Sequence, residues 1–258
     1  MKRLYQLIYF SCFILIPVLT NQSLSAQNYV AEYQSIDHSK NATGSLVFNT
    51  KEWLYDVTTL MEPEVTWESS DIDVSELNEK APLTTKPFST FNFRSLDKNE
   101  YLDEELSFSL GRTSKSYVIR GELEKPEWNI LSDSVKMIEG YTCLMAKGFV
   151  RGRDYTVWFT PDIAVSAGPW KLWGLPGLIV DARADDGAVE FTMTSLKQTD
   201  MLPKKPKVAK TVSPEEYKAL FQDEIKKFSR RIQSLSDGST EFTVTGITNT
   251  NPDKSLFE

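Results

Sequence analysis

Hydrophobic and polar residues alternate along most of the chain, which is the pattern of half-buried β-strands. In Tyr155–Thr160, for example, Tyr155, Val157 and Phe159 fall on one face of the strand. The sequence therefore predicts a mainly β fold. The predicted strands are Tyr29–Ile36, Gly44–Thr59, Thr90–Arg94, Glu105–Ser109, Ser116–Gly121, Glu127–Leu131, Tyr141–Val150, Tyr155–Thr160, Leu178–Ala184, Val189–Leu196 and Glu241–Ile247.

The turn Asp185-Asp186-Gly187-Ala188 separates two of these strands and sets their relative direction. Asp-Gly readily adopts the positive φ angles of a tight hairpin turn. Short connections of this kind predict an antiparallel meander.

One helix is predicted near the C-terminus, over residues 213–236. Ser213 is a suitable N-cap, Pro214 suits the first turn, and Glu215 and Glu216 favour the positive end of the helix dipole. An apolar stripe at helical spacing predicts an amphipathic helix packed on the sheet. The stripe comprises Tyr217, Leu220, Phe221, Ile225, Phe228, Ile232 and Leu235.

The N-terminus has the three parts of a secretory signal peptide: Lys2 and Arg3, a short apolar stretch, and small residues ending at Ala26. The apolar stretch is shorter than the roughly 20 residues of a membrane-spanning helix. We therefore expect cleavage near Ala26 and a soluble periplasmic or secreted protein without a transmembrane anchor.

Residues 27–258 have the length and apolar content expected of one domain. Removal of residues 1–26 takes away Lys2 and Arg3, so the formal net charge falls from −7 to −9. Such an acidic chain is poorly suited to nucleic acid. Residues 61–87 resemble an acidic loop or insertion, and residues 197–212, with several lysines, resemble a solvated linker.

No constellation of residues for catalysis stands out in the sequence. His38 is the only histidine, and Cys143 is the only cysteine left after residue 26, so neither a zinc site nor a serine triad can be assembled. We expect no metal and no cofactor. Cys143 is interpreted as a buried structural thiol, with a Cys143–His38 dyad as the alternative.

Two patches have side chains suited to recognition. In the first, Arg151 and Arg153 flank Gly152, so they could clamp a carboxylate or phosphate, or pair with Asp154 or Asp162. Tyr155 and Trp158 follow on the next strand.

The second patch is a glycine- and proline-rich loop that carries aromatic residues. Trp170, Lys171 and Trp173 either face a ligand or cover the core. Leu175-Pro176-Gly177-Leu178 suits a type II turn, and Gly168-Pro169 together with Gly174 stiffens the same loop.

The hexapeptide Gly174-Leu175-Pro176-Gly177-Leu178-Ile179 resembles the signature of the GLPGLI family, and the block from about residue 128 to 196 fits the family's longer pattern. The matching residues include Gly140-Tyr141-Thr142-Cys143, Arg151-Gly152-Arg153, Trp158-Phe159-Thr160 and Gly168-Pro169-Trp170-Lys171. Leu172-Trp173 is a mild departure from the family pattern.

The resemblance implies an exported Bacteroidetes protein of unestablished role, often encoded near TonB-dependent outer-membrane receptors. It supplies no catalytic residues. A weaker likeness to periplasmic lipoprotein carriers implies that the antiparallel sheet is curved, as a half-barrel or roll.

These features leave three hypotheses for function. The first is a non-enzymatic envelope protein that binds a small ligand or a protein partner, in a role accessory to a TonB-dependent receptor. The second is a periplasmic carrier or assembly factor for lipid or outer-membrane proteins. The third is a thiol-dependent hydrolase that uses Cys143.

Overall fold

The computed structural model describes residues 27–37, 40–59, 88–106 and 116–235. Eleven strands and one helix lie within these ranges, so a mainly β fold with one C-terminal helix is confirmed. The strands are β1 Asn28–Asp37, β2 Lys40–Phe48, β3 Glu52–Thr59, β4 Phe88–Ser95, β5 Glu100–Leu106, β6 Ser116–Glu122, β7 Trp128–Ile138, β8 Tyr141–Val150, β9 Arg153–Thr160, β10 Leu178–Ala184 and β11 Val189–Thr199, and the helix is α1 Pro214–Leu235.

All eleven strands form one open antiparallel sheet. Its order is β6-β5-β4-β3-β2-β1-β11-β10-β9-β8-β7, so the sheet consists of two meanders joined where β1 pairs with β11. The two edge strands, β6 and β7, are consecutive in the chain. Residues 123–127 alone connect them, and we call this segment the crossover.

Several strand boundaries differ from those predicted. The predicted strand Gly44–Thr59 is a hairpin, because Asn49 Oδ1 accepts hydrogen bonds from the backbone N–H groups of Lys51 and Glu52 and turns the chain. The strand predicted to end at Leu131 continues as β7 to Ile138. Its pairing with β8 is irregular after Leu131, and the polar residues there interrupt the alternation of apolar and polar positions. Strand β11 ends at Thr199, inside the predicted linker.

Some predictions fall outside the described residues: the signal peptide 1–26, His38, the acidic segment 61–87 and the strand Glu241–Ile247. Within the described ranges, no helix has both the length and the hydrophobicity needed to cross a bilayer.

The segment that joins β9 to β10, residues 161–177, contributes a large part of the core although it contains no strand. The ring of Trp173 lies 5.8 Å from that of Trp53 in β3, and Trp170 stacks on Phe191 of β11 at 6.4 Å. Just after the segment, the carbonyl oxygen of Ile179 in β10 accepts from the Tyr33 hydroxyl of β1 at 2.7 Å. This segment therefore contacts both meanders.

The helix begins with the capping arrangement that the sequence predicts. The N–H of Glu216 donates to Ser213 Oγ at 3.1 Å, and the N–H of Ser213 donates to Glu216 Oε2 at 2.8 Å. Tyr217 and Phe221 are buried in a small cluster that includes Ile119 of β6.

Leu220 is 37% exposed, so its predicted place in the buried stripe is wrong. Tyr217 and Phe221, four residues apart, define the buried line, and Leu220 lies to one side of it. The side chains of Phe228, Ile232 and Leu235 are outside the described residues.

We predict that Phe221→Ala lowers the free energy of unfolding by about 3–5 kcal/mol, because a buried aromatic side chain is removed. Leu220→Ala is the matched control and should change it by only about 0.5 kcal/mol. Urea denaturation of both variants measures the difference. Equal losses would show that the two positions are buried alike.

Candidate functional site

The two arginines of the β8–β9 turn have different neighbours. Arg151 has φ +51° and Gly152 φ +78°, and the Arg151 guanidinium lies 5.7 Å from the centre of the Tyr101 ring. Arg153 is 3% exposed and forms an ion pair with Asp186 of the β10–β11 hairpin, a partner that the sequence did not predict.

Trp170, Lys171 and Trp173 are all turned inward. Trp170 and Trp173 are each 8% exposed, and Lys171 is 4% exposed. Trp170 has φ +54°, an uncommon conformation for a bulky residue. Packing against Tyr155 and Phe191 stabilises it there. The two tryptophans therefore belong to the core, which was the alternative to a ligand-facing role.

Glycine is needed at two positions of the hexapeptide for different reasons. Gly174 has φ +99°. Gly177 does not lie in the positive-φ region, so the type II turn predicted with Gly177 at its third position is wrong. A Cβ atom on Gly177 would lie 2.2 Å from the carbonyl oxygen of Thr160. Gly177 therefore permits a close approach of two backbone segments.

Two ion pairs whose cations are buried lie beside this loop. Lys171 Nζ is 2.7 Å from Glu105 Oε1 of β5. In the neighbouring strand β4, Arg94 donates to both carboxylate oxygens of Asp103, at 2.5 and 3.1 Å. Asn92 Nδ2 also donates to Asp103 Oδ1, at 2.9 Å. Bidentate geometry and added hydrogen bonds are what a buried ion pair requires to be stable.

Burial of the Asp103 carboxyl disfavours its ionised form and would raise its pKa. The positive charges of Arg94 and Lys171 act in the opposite direction and prevail, so the pKa of Asp103 is lowered. A lowered pKa means that the ionised carboxylate stabilises the folded state. This contribution is present above the carboxyl's unfolded pKa of about 4 and is lost as the pH falls through the folded value.

Arg94 and Lys171 line a cavity of about 40 Å³, which we call the crossover cavity. It has room for a few water molecules or one carboxylate-sized group. Its lining comes from both meanders, the 161–177 segment and the crossover. The lining residues are Arg94, Tyr101, Leu123, Glu124, Pro126, Val150, Arg151, Lys171 and Trp173.

The crossover cavity brings together three of the predicted binding residues, namely Arg151, Lys171 and Trp173. It does not include Tyr155, which is fully buried, or Trp158, whose ring lies 4.2 Å from Lys136 Nζ. Sequence reasoning missed Arg94 and Tyr101. An arginine at an inward position of a strand was the available signal for Arg94.

Cys143 is fully buried in strand β8. Its Sγ donates to the carbonyl oxygen of Tyr141 at 3.4 Å, and burial raises the pKa of the thiol. A buried thiol with a raised pKa is a poor nucleophile. Among the described residues, no three metal-binding side chains are grouped as a metal site.

We predict that Gly177→Ala destabilises the protein by about 1–3 kcal/mol, because the new methyl group meets backbone atoms that cannot move aside cheaply. Gly140→Asn is the control: Gly140 has φ +83° with nothing within 4 Å of a Cβ atom, and asparagine tolerates that conformation. Thermal and urea unfolding measure both variants. Equal stability of Gly177→Ala and the parent would contradict the close approach.

We also predict that Cys143 resists thiol reagents in the folded protein. The full chain has a second cysteine, Cys12, in the predicted signal peptide, and the test replaces it by serine. In that variant, a disulfide reagent should label Cys143 only after denaturant is added. Rapid labelling of the native protein would mean that the thiol is accessible, and would favour the hydrolase hypothesis.

Comparison with known families gives a match over part of the chain. Residues 149–181 match a family described as a protein of unknown function (Porph_ging). That range includes the β8–β9 turn, all of β9, the 161–177 segment and the hexapeptide. No curated protein matches the sequence.

Solved structures show a shared fold only. PNGF-II in the C2 space group is 21% identical with a TM-score of 0.50, covering 77% of this chain and 33% of that chain. PNGF-II in the P21 space group is 20% identical with a TM-score of 0.49, covering 77% and 34%. This chain thus spans about a third of the PNGF-II chains.

A third similar structure is an uncharacterised conserved protein from Thermus thermophilus. It is 8% identical with a TM-score of 0.37, and the match covers 73% of this chain and 91% of that one. The likeness is too weak to support any argument about this chain. The family of unknown function matched at residues 149–181 confirms the resemblance to a GLPGLI-type family.

Proposed function

We propose that this chain is a non-enzymatic, exported envelope protein that binds a small ligand or a protein partner at the crossover cavity. The proposal rests on one observation, which is that five side chains suited to recognition line the same cavity. They are Arg94, Tyr101, Arg151, Lys171 and Trp173. Planar guanidinium groups beside aromatic rings suit a carboxylate-bearing or planar polar group.

Chain geometry supports a sheet that curves into a half-barrel or roll around the 161–177 segment. The five-residue crossover spans at most about 21 Å, because an extended chain advances about 3.3–3.6 Å per residue. Ten strand spacings of about 4.8 Å would separate the edges of a flat sheet by about 48 Å. In this proposal, curvature brings the β6 and β7 edges together, and the crossover between them supplies Leu123, Glu124 and Pro126 to the lining of the cavity.

The size of the crossover cavity argues against this cavity as the binding site of a lipid carrier. A carrier for an acyl chain needs a wide apolar cavity, and small-molecule sites typically have about 300–1,000 Å³. The crossover cavity has about 40 Å³. Leu172 and Leu175 of the 161–177 segment are fully buried. We therefore favour recognition of an exposed group by the rim of the cavity over enclosure of a lipid.

Arg151 is the residue in this lining best suited to contact a ligand. It is partly exposed, whereas Arg94 and Lys171 are buried and held by Asp103 and Glu105. We propose that Arg151 contacts the ligand, that the buried Tyr101 ring supports its guanidinium, and that the two ion pairs hold the cavity in shape.

Affinity capture from detergent-solubilised envelope, with mass spectrometry, tests the proposal. We expect Arg151→Gln to reduce the captured ligand or partner at least tenfold, and Arg183→Gln to leave it unchanged. Arg183 is an exposed arginine paired with Glu190, so its replacement removes the same charge elsewhere. Equal capture by both variants would contradict a role for the crossover cavity.

Export and an accessory role beside a TonB-dependent receptor belong to the same proposal. N-terminal sequencing of the native protein should give Gln27 as the first residue. A receptor among the captured proteins would support the accessory role, and retention of residues 1–26 would contradict cleavage.

A further inference from the structure

A row of paired residues crosses five strands of the sheet and ends at a glycine. Phe48 pairs with Trp53, Trp53 with Arg94, Arg94 with Tyr101, and Tyr101 with Gly121. Residues paired directly across neighbouring strands lie on the same face of the sheet. The first four side chains are buried. Gly121, in the edge strand β6, is therefore the last member of a buried row and contributes no side chain to it.

The Tyr101 ring occupies the space that a side chain at Gly121 would fill. A Cβ atom on Gly121 would lie 2.6 Å from Cε1 and from the hydroxyl oxygen of Tyr101, and 2.7 Å from Cζ. Non-bonded carbon atoms prefer a separation of about 3.5–4.0 Å, so the ring would have to move. Gly121 does not have a positive φ, so backbone conformation does not explain this glycine. Its absent side chain is what permits the position of Tyr101.

The Tyr101 ring in turn contacts two guanidinium groups. The centre of the ring lies 5.2 Å from Cζ of Arg94 and 5.7 Å from Cζ of Arg151. Both distances are within the roughly 6 Å over which a ring attracts a cation. Arg94 is also held by Asp103, whereas Arg151 belongs to the β8–β9 turn and is half-buried. Tyr101 therefore links a turn of one meander to a strand of the other.

We propose that Gly121 is a positioning residue for the crossover cavity, because its missing side chain lets the Tyr101 ring lie where it supports the Arg151 guanidinium. The atoms that a Cβ would displace are at the far end of the Tyr101 side chain. The ring can therefore give way while β5 and β6 stay paired, and Gly121→Ala should alter the surroundings of Arg151 more than the fold. The consequence for ligand binding rests on the proposed function, whereas the position of Arg151 does not.

The chain supplies a matched control in β2. A Cβ atom on Gly44 would lie 2.1 Å from the hydroxyl oxygen and 2.3 Å from Cζ of Tyr55, which is also buried. Neither Gly44 nor Tyr55 lines the crossover cavity. Gly44→Ala thus displaces a buried tyrosine ring in the same way at a position away from Arg151.

The test measures how fast phenylglyoxal modifies Arg151 in the purified native protein, with peptide mass spectrometry as the readout. Arg183, whose side chain is 65% exposed, is the internal reference. We expect Gly121→Ala to raise the rate at Arg151 relative to Arg183 by about two- to fivefold, the effect of losing one exposed cation–π contact. Gly44→Ala should leave this ratio unchanged. Circular dichroism of every variant checks that it is folded.

A second variant shows whether Gly121 acts through Tyr101. Tyr101→Leu removes both the ring and the steric conflict, so it should raise the rate at Arg151 by a similar factor. Adding Gly121→Ala to Tyr101→Leu should then change the rate no further. An effect of Gly121 on general packing would instead make the two changes additive.

Three results would overturn the inference. They are an unchanged rate at Arg151 in Gly121→Ala, an equal rise in Gly44→Ala, and additive effects of Tyr101→Leu and Gly121→Ala. These rates require no ligand, so they decide the inference even if Arg151→Gln captures as much as the parent and the proposed function fails. Where Arg151→Gln does reduce capture, Gly121→Ala should reduce it as well, and Gly44→Ala should not.

Discussion

The buried amino group of Lys171 is the constraint on which the rest of the structure depends. A charged group with 4% exposure needs a partner of opposite charge, and Glu105 of β5 supplies it at 2.7 Å. Lys171 belongs to the 161–177 segment, which is covalently attached to β9 and β10. The ion pair therefore ties this segment to the meander on the other side of the β1–β11 junction.

Because this ion pair fixes the 161–177 segment, we interpret the role of the hexapeptide as mainly structural. Gly174 adopts a conformation that glycine prefers, and Gly177 allows the chain to pass against Thr160. Trp173 packs against Trp53 of β3, and Trp170 packs against Phe191 of β11. A rigid interior of this kind leaves Arg151, at a turn on its margin, as the group most available to a ligand. The architecture thus separates the residues that build the cavity from those proposed to use it.

Much of the fold could be predicted because its strands alternate and its turns use recognisable residues. Tyr141–Val150 and Leu178–Ala184 have the predicted bounds, since each is bordered by a tight turn or a glycine-rich loop. The helix was predictable from Ser213 and the two acidic residues of its first turn. The hairpin at Asn49 was not predictable in the same way, because apolar residues lie close to the turn on both sides.

The candidate site was less predictable, because long-range pairing decides it. The sequence points to Arg151, Lys171 and Trp173, but nothing local indicates that Arg94 and Tyr101 lie beside them. The ion-pair partner of Arg153 could not be predicted either, because it also depends on long-range pairing. Asp186 is distant in sequence and reaches that arginine through the β10–β11 hairpin.

A double-mutant cycle on Lys171 and Glu105 tests the central claim most directly. Lys171→Met, Glu105→Gln and the double variant would be unfolded in urea, and the coupling free energy derived from the three. We expect a favourable coupling of about 2 kcal/mol, within the range for buried groups in contact. Losses that add within about 0.5 kcal/mol would contradict a structure in which this ion pair joins the two meanders.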